Sequence, residues 1–543
     1  MTSRKDFLSA SALTAGALLA PADAISAGAE ASPGSPSLRR NRALAIREQA
    51  ARAHYASGVV VNRSNGDEAR YADKRASFFK TLPQNDLGEV DPAAFARFVE
   101  IIERGDPAGF DRVPRDAVAV ERLNDPQATF AYDFFAADGQ ADAIAPPPTF
   151  ASARMAVEMG ELYWHALTRD VPFANFSSDP SIAAAASDLN AFSEPLEAGR
   201  PKAMSPGTLF RSAFAGAAKG PYLSQFLWLD VPYGPTTIVQ RYRAPLPDQG
   251  FLTGSDAWLA CQRGAAMTEK VEYGDKRWIA TCGDLAAYVH RDFSFQAFMH
   301  ATLIAMSYGA QALSPSNPYR SSKTQFGDIT FGNKMFLTLI AQAAIVGQKT
   351  SYYHKWAVHR RLRAEVTAGR IEYQLAGRKD YGIHPDILRS DAVARTKSAH
   401  GSALLPIAYP EGCPTHPSYP SAHACNAGAC ATVLKAFFDE SFVIPNAAVA
   451  NAAGDALEPW REDSLTLGGE FEKLAANVAF GRHAAGVHYR SDSVAALLAG
   501  ETQALALLSD YSRTFNERFG GFELTKFDRT RVQIRDGLVT AKA

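Results

Sequence analysis

Three short stretches of this chain collect residue types that suit a tetrahedral anion: 355–365 (KWAVHRRLRAE), 415–430 (THPSYPSAHACNAGAC) and 477–492 (NVAFGRHAAGVHYRSD). Lys355 is followed after eight residues by Arg363, then come Ser421 and His423, and Arg482 is followed after six residues by His488 and after four more by Asp492. One neutral imidazole, His488, can bond a central atom while three cations neutralise the oxygens around it and a hydroxyl helps to close the shell. A second imidazole, His423, stays free to move protons. Asp492 lies one turn beyond His488 and in a helix would share its face, so it can hold or polarise the ring from behind.

That chemistry needs a helix start at its centre. Pro417 and Pro420 bias their neighbours away from helix, Ser421 is a good N-cap, and Ala424, Ala427, Ala429, Ala431, Val433 and Leu434 follow it. The pattern predicts a helix beginning near Ser421, with unpaired backbone N–H groups and the positive dipole end facing the anion. Taken singly, Lys355, Arg363 and Arg482 read as solvated helix charges and Ser421 as a structural cap. In register with one another they read as a site.

The three stretches resemble the signature shared by vanadium-dependent haloperoxidases and the type 2 phosphatidic acid phosphatase superfamily: a Lys and Arg segment, a Pro-Ser-Gly-His segment and an Arg…His…Asp segment. The similarity to algal-type bromoperoxidases is closer. Their K-W-x-V-H-R run appears as Lys355-Trp356-Ala357-Val358-His359-Arg360, and their PTHPSYPSGHA and GRxxxGVHYRSD runs are nearly intact. The resemblance extends from about Pro148 to about Leu508, through MAVEMGELYWHALTRDVPF (155–173), GPYLSQFLW (220–228) and NPYRSSKTQFGDITFG (317–332).

The resemblance implies a mainly α fold of helical bundles with a few short strands. It implies orthovanadate bonded through His488, the metal ligand, and held by Lys355, Arg363, Ser421, the Ala422 N–H and Arg482. His423 would move protons, Lys355 would polarise the peroxide towards halide, and His416 and Asp492 would stand behind these groups. Substrates would be hydrogen peroxide, a halide and a small organic acceptor, with vanadium(V) keeping its oxidation state. Bromide-using members tend to carry His at the position of His416 and chloride-using fungal members an aromatic, so the match points to bromide, with iodide also accepted. Algal relatives form dimers or larger shells, which implies a homo-oligomer.

Two positions depart from the family pattern. Arg363 is followed by Ala364 rather than Pro, which removes a stop signal but no ligand. Ala422 replaces the Gly of Pro-Ser-Gly-His; a site requiring positive φ there would make the added Cβ cost about 1–2 kcal/mol, so a helix-start conformation that tolerates Ala is expected. Two other readings stay open. Phosphate shares the shape of vanadate, so the pocket would also suit a soluble secreted acid phosphatase working through phospho-His488, or an exported oxyanion-binding protein with little turnover.

At 543 residues the chain has the length of three or four average domains, whereas the resemblance favours one large helical unit. Its expected divisions are a signal peptide at 1–24, an arm with helices at 25–150, a first bundle at 151–350, a catalytic bundle at 351–510 and a tail at 511–543. Fifty-six basic and 57 acidic residues leave a net charge of -1, which gives no electrostatic case for nucleic acid or an anionic membrane. At the N-terminus Arg4-Lys5-Asp6-Phe7-Leu8, the uncharged apolar run 9–20 and Ala22-Asp23-Ala24 form a signal with an A-x-A cleavage site, resembling a twin-arginine variant. Export to the periplasm or beyond is therefore expected. No later run reaches the ~18–20 apolar residues of a membrane span, 335–346 coming nearest. The five cysteines contain no C-x-x-C pair, so zinc is not expected; a Cys261–Cys282 bridge is open, and Cys425 and Cys430 suit packing.

Periodicity predicts helices over 41–54 (amphipathic), 91–104, 151–167, 182–191, 206–226, 284–302, 333–347, 352–368, 423–438, 471–478 and 486–508. Strands fall within the Pro- and Gly-rich 229–258. Residues 369–419 read as a loop over the site.

Overall fold

A computed structural model of the chain describes residues 34–197 and 203–542, so the signal peptide expected at 1–24 lies outside the described residues. The chain divides into units 1–49 and 50–543. The described residues of the first lead into the helix Pro36–Ala56, which contains the helix expected over 41–54 and has no buried side chain. The second is mainly helical; among its described residues, strands form three two-stranded pairs and one three-stranded antiparallel sheet.

Eight helices of this unit position the candidate site: α1 (Ala153–Leu167), α2 (Cys282–Tyr288), α3 (Gln296–Ser307), α4 (Asn333–Tyr353), α5 (Ala364–Leu375), α6 (Ala422–Phe437), α7 (Leu467–Ala484) and α8 (Arg490–Ser512). One apolar cluster gathers α4, α6, α7 and α8 through residues such as Leu339, Leu434, Leu474 and Leu497. A second gathers α1, α5 and the chain around them through Trp164, Ile371, Leu405 and Tyr489. Tyr419 and Ala424 belong to the first cluster, and Ala422, Val487 and Tyr489 to the second, so the candidate site lies on the seam between them.

Helix α6 begins where its N-cap predicts. Ser421, extended at φ −70 and ψ 123, accepts from the Ala424 N–H, and Ala422 is the first helical residue. Small residues then let α8 approach unusually closely. A Cβ on Gly428 would lie 2.1 Å from the Leu497 carbonyl oxygen, and one on Gly500 2.0 Å from that of Cys425. Only glycine permits that approach. The two helix starts are thereby brought together, and the Ser421 N–H donates to the Asp492 carbonyl at 3.0 Å.

The first stretch is shaped differently from the predicted helix 352–368. Helix α4 runs on to Tyr353 and widens into a π-turn, His354–His359, which Arg360 ends in the left-handed region at φ 39. Such turns interrupt regular helices frequently at functional sites. Lys355 sits fully buried in this turn, and Arg363 becomes the N-cap of α5. Ala364 therefore occupies the first helical position, where Pro and Ala are both accommodated.

Other expectations need correction. Residues 206–226 form turns and a short 3-10 helix, Gln225–Leu227, instead of one helix. A Cβ on Gly216 would meet the Gly469 carbonyl at 2.3 Å, so this segment packs by close backbone approach. The helix predicted over 284–302 is split into α2 and α3, leaving 289–295 outside helix. Within 369–419, expected as loop, lie the end of α5 and a capped helix, Asp391–His400, with Ser390 accepting from Val393 and Gly401 closing it in the left-handed region. Residues beyond 511, read as a tail, form strands Phe522–Thr525, Arg531–Arg535 and Leu538–Ala541, burying Phe522, Leu524, Val532 and Ile534 in the first cluster. Cys261 and Cys282 are free and buried, so the bridge left open by the sequence is absent.

Candidate functional site

The π-turn, the N-cap of α5, the last turn of α7 and the turn between α7 and α8 bring Lys355, Arg363, Arg482 and His488 together. The Lys355 ammonium donates to the carbonyls of Pro417 at 2.7 Å and Ser418 at 2.9 Å, the two residues that lead towards Ser421. Arg363 donates through Nε to the His416 carbonyl at 2.8 Å and through Nη1 to the Val487 carbonyl at 2.8 Å. Arg482 donates through Nη1 to the Val289 carbonyl at 2.6 Å and the Tyr409 hydroxyl at 3.2 Å, while its buried Nε has no partner. All three cations are at most 4% exposed.

None of the three forms an ion pair among the described residues. Elsewhere in the interior Arg361 has Asp492 at 2.7 Å, Lys80 has Glu365 at 3.0 Å and Lys473 has Glu470 at 2.5 Å. Burial, then Arg363 and, beyond the offset from Asp492, Arg482 hold Lys355 well below its ordinary pKa. Three buried cationic groups without a counter-ion cost on the order of several kcal/mol each, a cost that Lys355 relieves by holding its proton less tightly, so the cluster suits an anion. Its donor set, an ammonium, two guanidinium groups and a helix start, is that of an oxyanion site.

His488 brings a nitrogen of opposite character to the same place. Its Nδ1 lies 2.9 Å from Asp492 Oδ2 and its Nε2 3.1 Å from Arg363 Nη1. Guanidinium can only donate, so Nε2 accepts and the ring proton sits on Nδ1 facing the carboxylate. Burial, followed by Arg363, Lys355 and Arg482, keeps this imidazole well below its ordinary pKa and hence neutral. Asp492 reaches the ring from the first turn of α8, where it also accepts from the Tyr489 N–H at 3.0 Å. Its contact with His488 therefore comes from helix capping, because His488 lies before the helix and shares no helical face with it.

The remaining predicted residues fall around this core. Ser421 is buried at the cap. Ala422 is 7% exposed and is absent from the positive-φ residues, so its Cβ carries no backbone strain. His416 is buried, its Nδ1 accepting from Arg363 Nη2 at 2.8 Å, and burial with Lys355 and Arg363 holds it well below its ordinary pKa. His423 stands at the rim, with 28% of its side chain exposed, and pairs through Nε2 with Asp292 Oδ1 at 3.0 Å.

Asp292 was not singled out from sequence. It lies in the break between α2 and α3, which also offers the Val289 carbonyl to Arg482, so this one break reaches both Arg482 and the rim histidine. Burial opposes its ionisation, but His423 and Arg482 hold the carboxyl below its usual range. The signal available was the His290-Arg291-Asp292 run interrupting an otherwise apolar helix. Tyr409 was missed as well; its hydroxyl donates to the Ala286 carbonyl and its ring stacks on His290 at 3.7 Å. His290, Arg291 and Glu411 line an open cleft of about 700 Å³ beside this wall. A cluster of Glu161, His165 and His483 has metal-ligating atoms close together, but Arg490 already binds both Glu161 oxygens.

A family model described as the VCPO second helical-bundle domain matches residues 391–517. The chain is 33% identical to the vanadium-dependent bromoperoxidase of Corallina pilulifera over 88% of its own length and 95% of the relative's. It is 32% identical to the vanadium-dependent bromoperoxidase of Ascophyllum nodosum over 94% and 95%. Its fold is similar to the homohexameric second vanadate-dependent bromoperoxidase of A. nodosum, with a TM-score of 0.89, 27% identity and 97% of each chain covered. These similarities run through the whole helical unit that gathers the unpaired cations around His488, and the chain belongs to the vanadium-dependent haloperoxidase family.

Proposed function

We propose that this protein is a vanadate-dependent haloperoxidase that oxidises bromide with hydrogen peroxide and halogenates small organic acceptors. The observation that carries the reading is the buried cluster of Lys355, Arg363 and Arg482, lacking carboxylate partners and facing the lone pair of a neutral imidazole. His488 Nε2 would ligate vanadium, and the three cations, the Ser421 hydroxyl and the Ala422 N–H would hold the oxygens. Vanadate, when bound, supplies the centre at which peroxide is activated towards halide without a change of metal oxidation state. Lys355 and the arginines withdraw electron density from oxygens bound there. Asp492 holds the His488 ring with Nε2 unprotonated. His423, kept in place by Asp292 and open to solvent, delivers the proton that hypohalous acid formation consumes.

Reconstitution tests this directly. Protein loaded with vanadate should brominate an organic acceptor only with both bromide and peroxide, and excess phosphate should suppress the rate by competing for the same cations. Phosphatase turnover without vanadate and no bromination would instead assign the cage to phosphoryl transfer. The bromide preference rests on His416, and competition among chloride, bromide and iodide measures it.

Ala422→Gly should not raise bromination or oxyanion affinity, because Ala422 already has helix-start geometry. Its one expected cost is up to about 1 kcal/mol of stability, the ordinary penalty of glycine in a helix. Kinetic assays beside thermal melts check both; a gain in activity would show that the methyl group crowds the anion.

The signal pattern at 1–24 supports export, which N-terminal sequencing of protein from the extracytoplasmic fraction would test. The hexameric A. nodosum relative supports assembly into a homo-oligomer. Sedimentation of the full chain would measure its size. No described helix is long and apolar enough to cross a membrane.

A further inference from the structure

Arg361 stands behind the cage, with only 2% of its side chain exposed. Its Nη1 donates to Asp492 Oδ1 at 2.7 Å and Ser491 Oγ at 2.8 Å, its Nη2 reaches Glu158 Oε2 at 3.3 Å, and its guanidinium lies 4.0 Å from the centre of the Tyr489 ring. Asp492 divides its two oxygens. Oδ1 takes the guanidinium, while Oδ2 accepts from His488 Nδ1 at 2.9 Å, from the Tyr489 N–H at 3.0 Å and from the Ser418 hydroxyl. A carboxylate held at one oxygen by a rigid guanidinium is no longer free to rotate, so its other oxygen keeps a fixed direction towards the imidazole. Glu158, on α1, closes the chain from the far side by accepting from the Ser491 N–H at 3.1 Å and its hydroxyl at 2.8 Å.

We propose that Arg361 is a positioning residue that fixes the carboxylate of Asp492 and, through it, the tautomer and orientation of His488. A buried Glu158–Arg361–Asp492–His488 chain thereby sets the oxyanion affinity of a site from which Arg361 itself is absent. This rests on the reading of His488 as the anchoring imidazole. Outer-shell partners of a metal-binding histidine generally act in this manner, and their loss costs about 10–100-fold in affinity.

A double-mutant cycle read by calorimetry separates positioning from simple structural support. Inorganic vanadate and, separately, inorganic phosphate are titrated into the full-length apo protein as wild type, Arg361→Met, Asp492→Asn, the double variant and Arg361→Lys. Each of the first two substitutions should weaken vanadate binding by about 10–100-fold. The double variant should be no weaker than Asp492→Asn alone, because Arg361 acts only through that carboxylate. Arg361→Lys, which retains a donor for Oδ1, should recover most of the affinity. Losses that multiply in the double variant while wild type binds normally would overturn this inference alone. Failure of wild type to bind either oxyanion would overturn the reading of the site together with it. Should Arg361→Met not fold, the cycle is run with Arg361→Lys, whose residual loss must vanish in the Asp492→Asn background.

Discussion

His488→Ala will not retain vanadate. Lys355, Arg363 and Arg482 offer the oxyanion only donors, whereas His488 Nε2 brings a lone pair to the same place, held there by the Nδ1 contact with Asp492 at 2.9 Å. Deleting the ring removes the sole proposed bond to the metal and leaves an assembly that attracts tetrahedral anions through charge alone. The affinity loss should therefore exceed the roughly 10–100-fold that follows when an outer partner is removed, and bromination should fall with it. Vanadium content after gel filtration, measured beside peroxide-dependent bromination on the same sample, is the check. Phosphate binding should survive more strongly than vanadate binding, because electrostatic attraction to the three cations remains. A variant that keeps both its vanadium and full bromination would remove His488 from the ligand position.

The residues of this cage were legible in the sequence because their chemistry is redundant: cations, a capped helix start and two imidazoles recur in three stretches that share no other purpose. The start of α6 was legible for a local reason, since Ser421 and the prolines before it fix where a helix begins. What escaped reading depends on backbones meeting across the fold. Asp292 acts from a break in a helix, and that break exists where the Val289 carbonyl turns to Arg482. Arg361 lies between two arginines of similar appearance. Its neighbour Arg360 is spent on Glu68 at 2.7 Å, and Arg363 is spent on the cage, so only tertiary structure separates their roles. The failure at 206–226 has the same origin, as apolar residues at helical spacing were outweighed by Gly216 lying against Gly469. The helix Asp391–His400, by contrast, carried readable caps at Ser390 and Gly401 and was hidden only by the surrounding irregular sequence.

His423→Gln should separate turnover from anion binding. His423 forms no hydrogen bond with Lys355, Arg363, Arg482 or His488; its described partner is Asp292, and its side chain is 28% exposed. Losing it leaves the cation cluster and Nε2 of His488 in place, so vanadate affinity should stay close to that of wild type. The rate should not. Each hypobromous acid formed from peroxide and bromide consumes one proton, and a positioned acid or base is worth about 10²–10⁴-fold, which is the expected fall in kcat. Asp292→Asn offers an intermediate case, because the amide can turn its NH2 towards the ring and favour the wrong tautomer, the fault that an Asp-to-Asn change introduces behind a catalytic histidine. Its kcat should lie between those of wild type and His423→Gln, while Arg482 loses a nearby negative charge and vanadate affinity rises slightly. Calorimetry with vanadate and steady-state bromination across pH resolve the two effects. Equal losses of affinity and rate in His423→Gln would place this imidazole among the groups holding the anion and leave proton delivery to another residue.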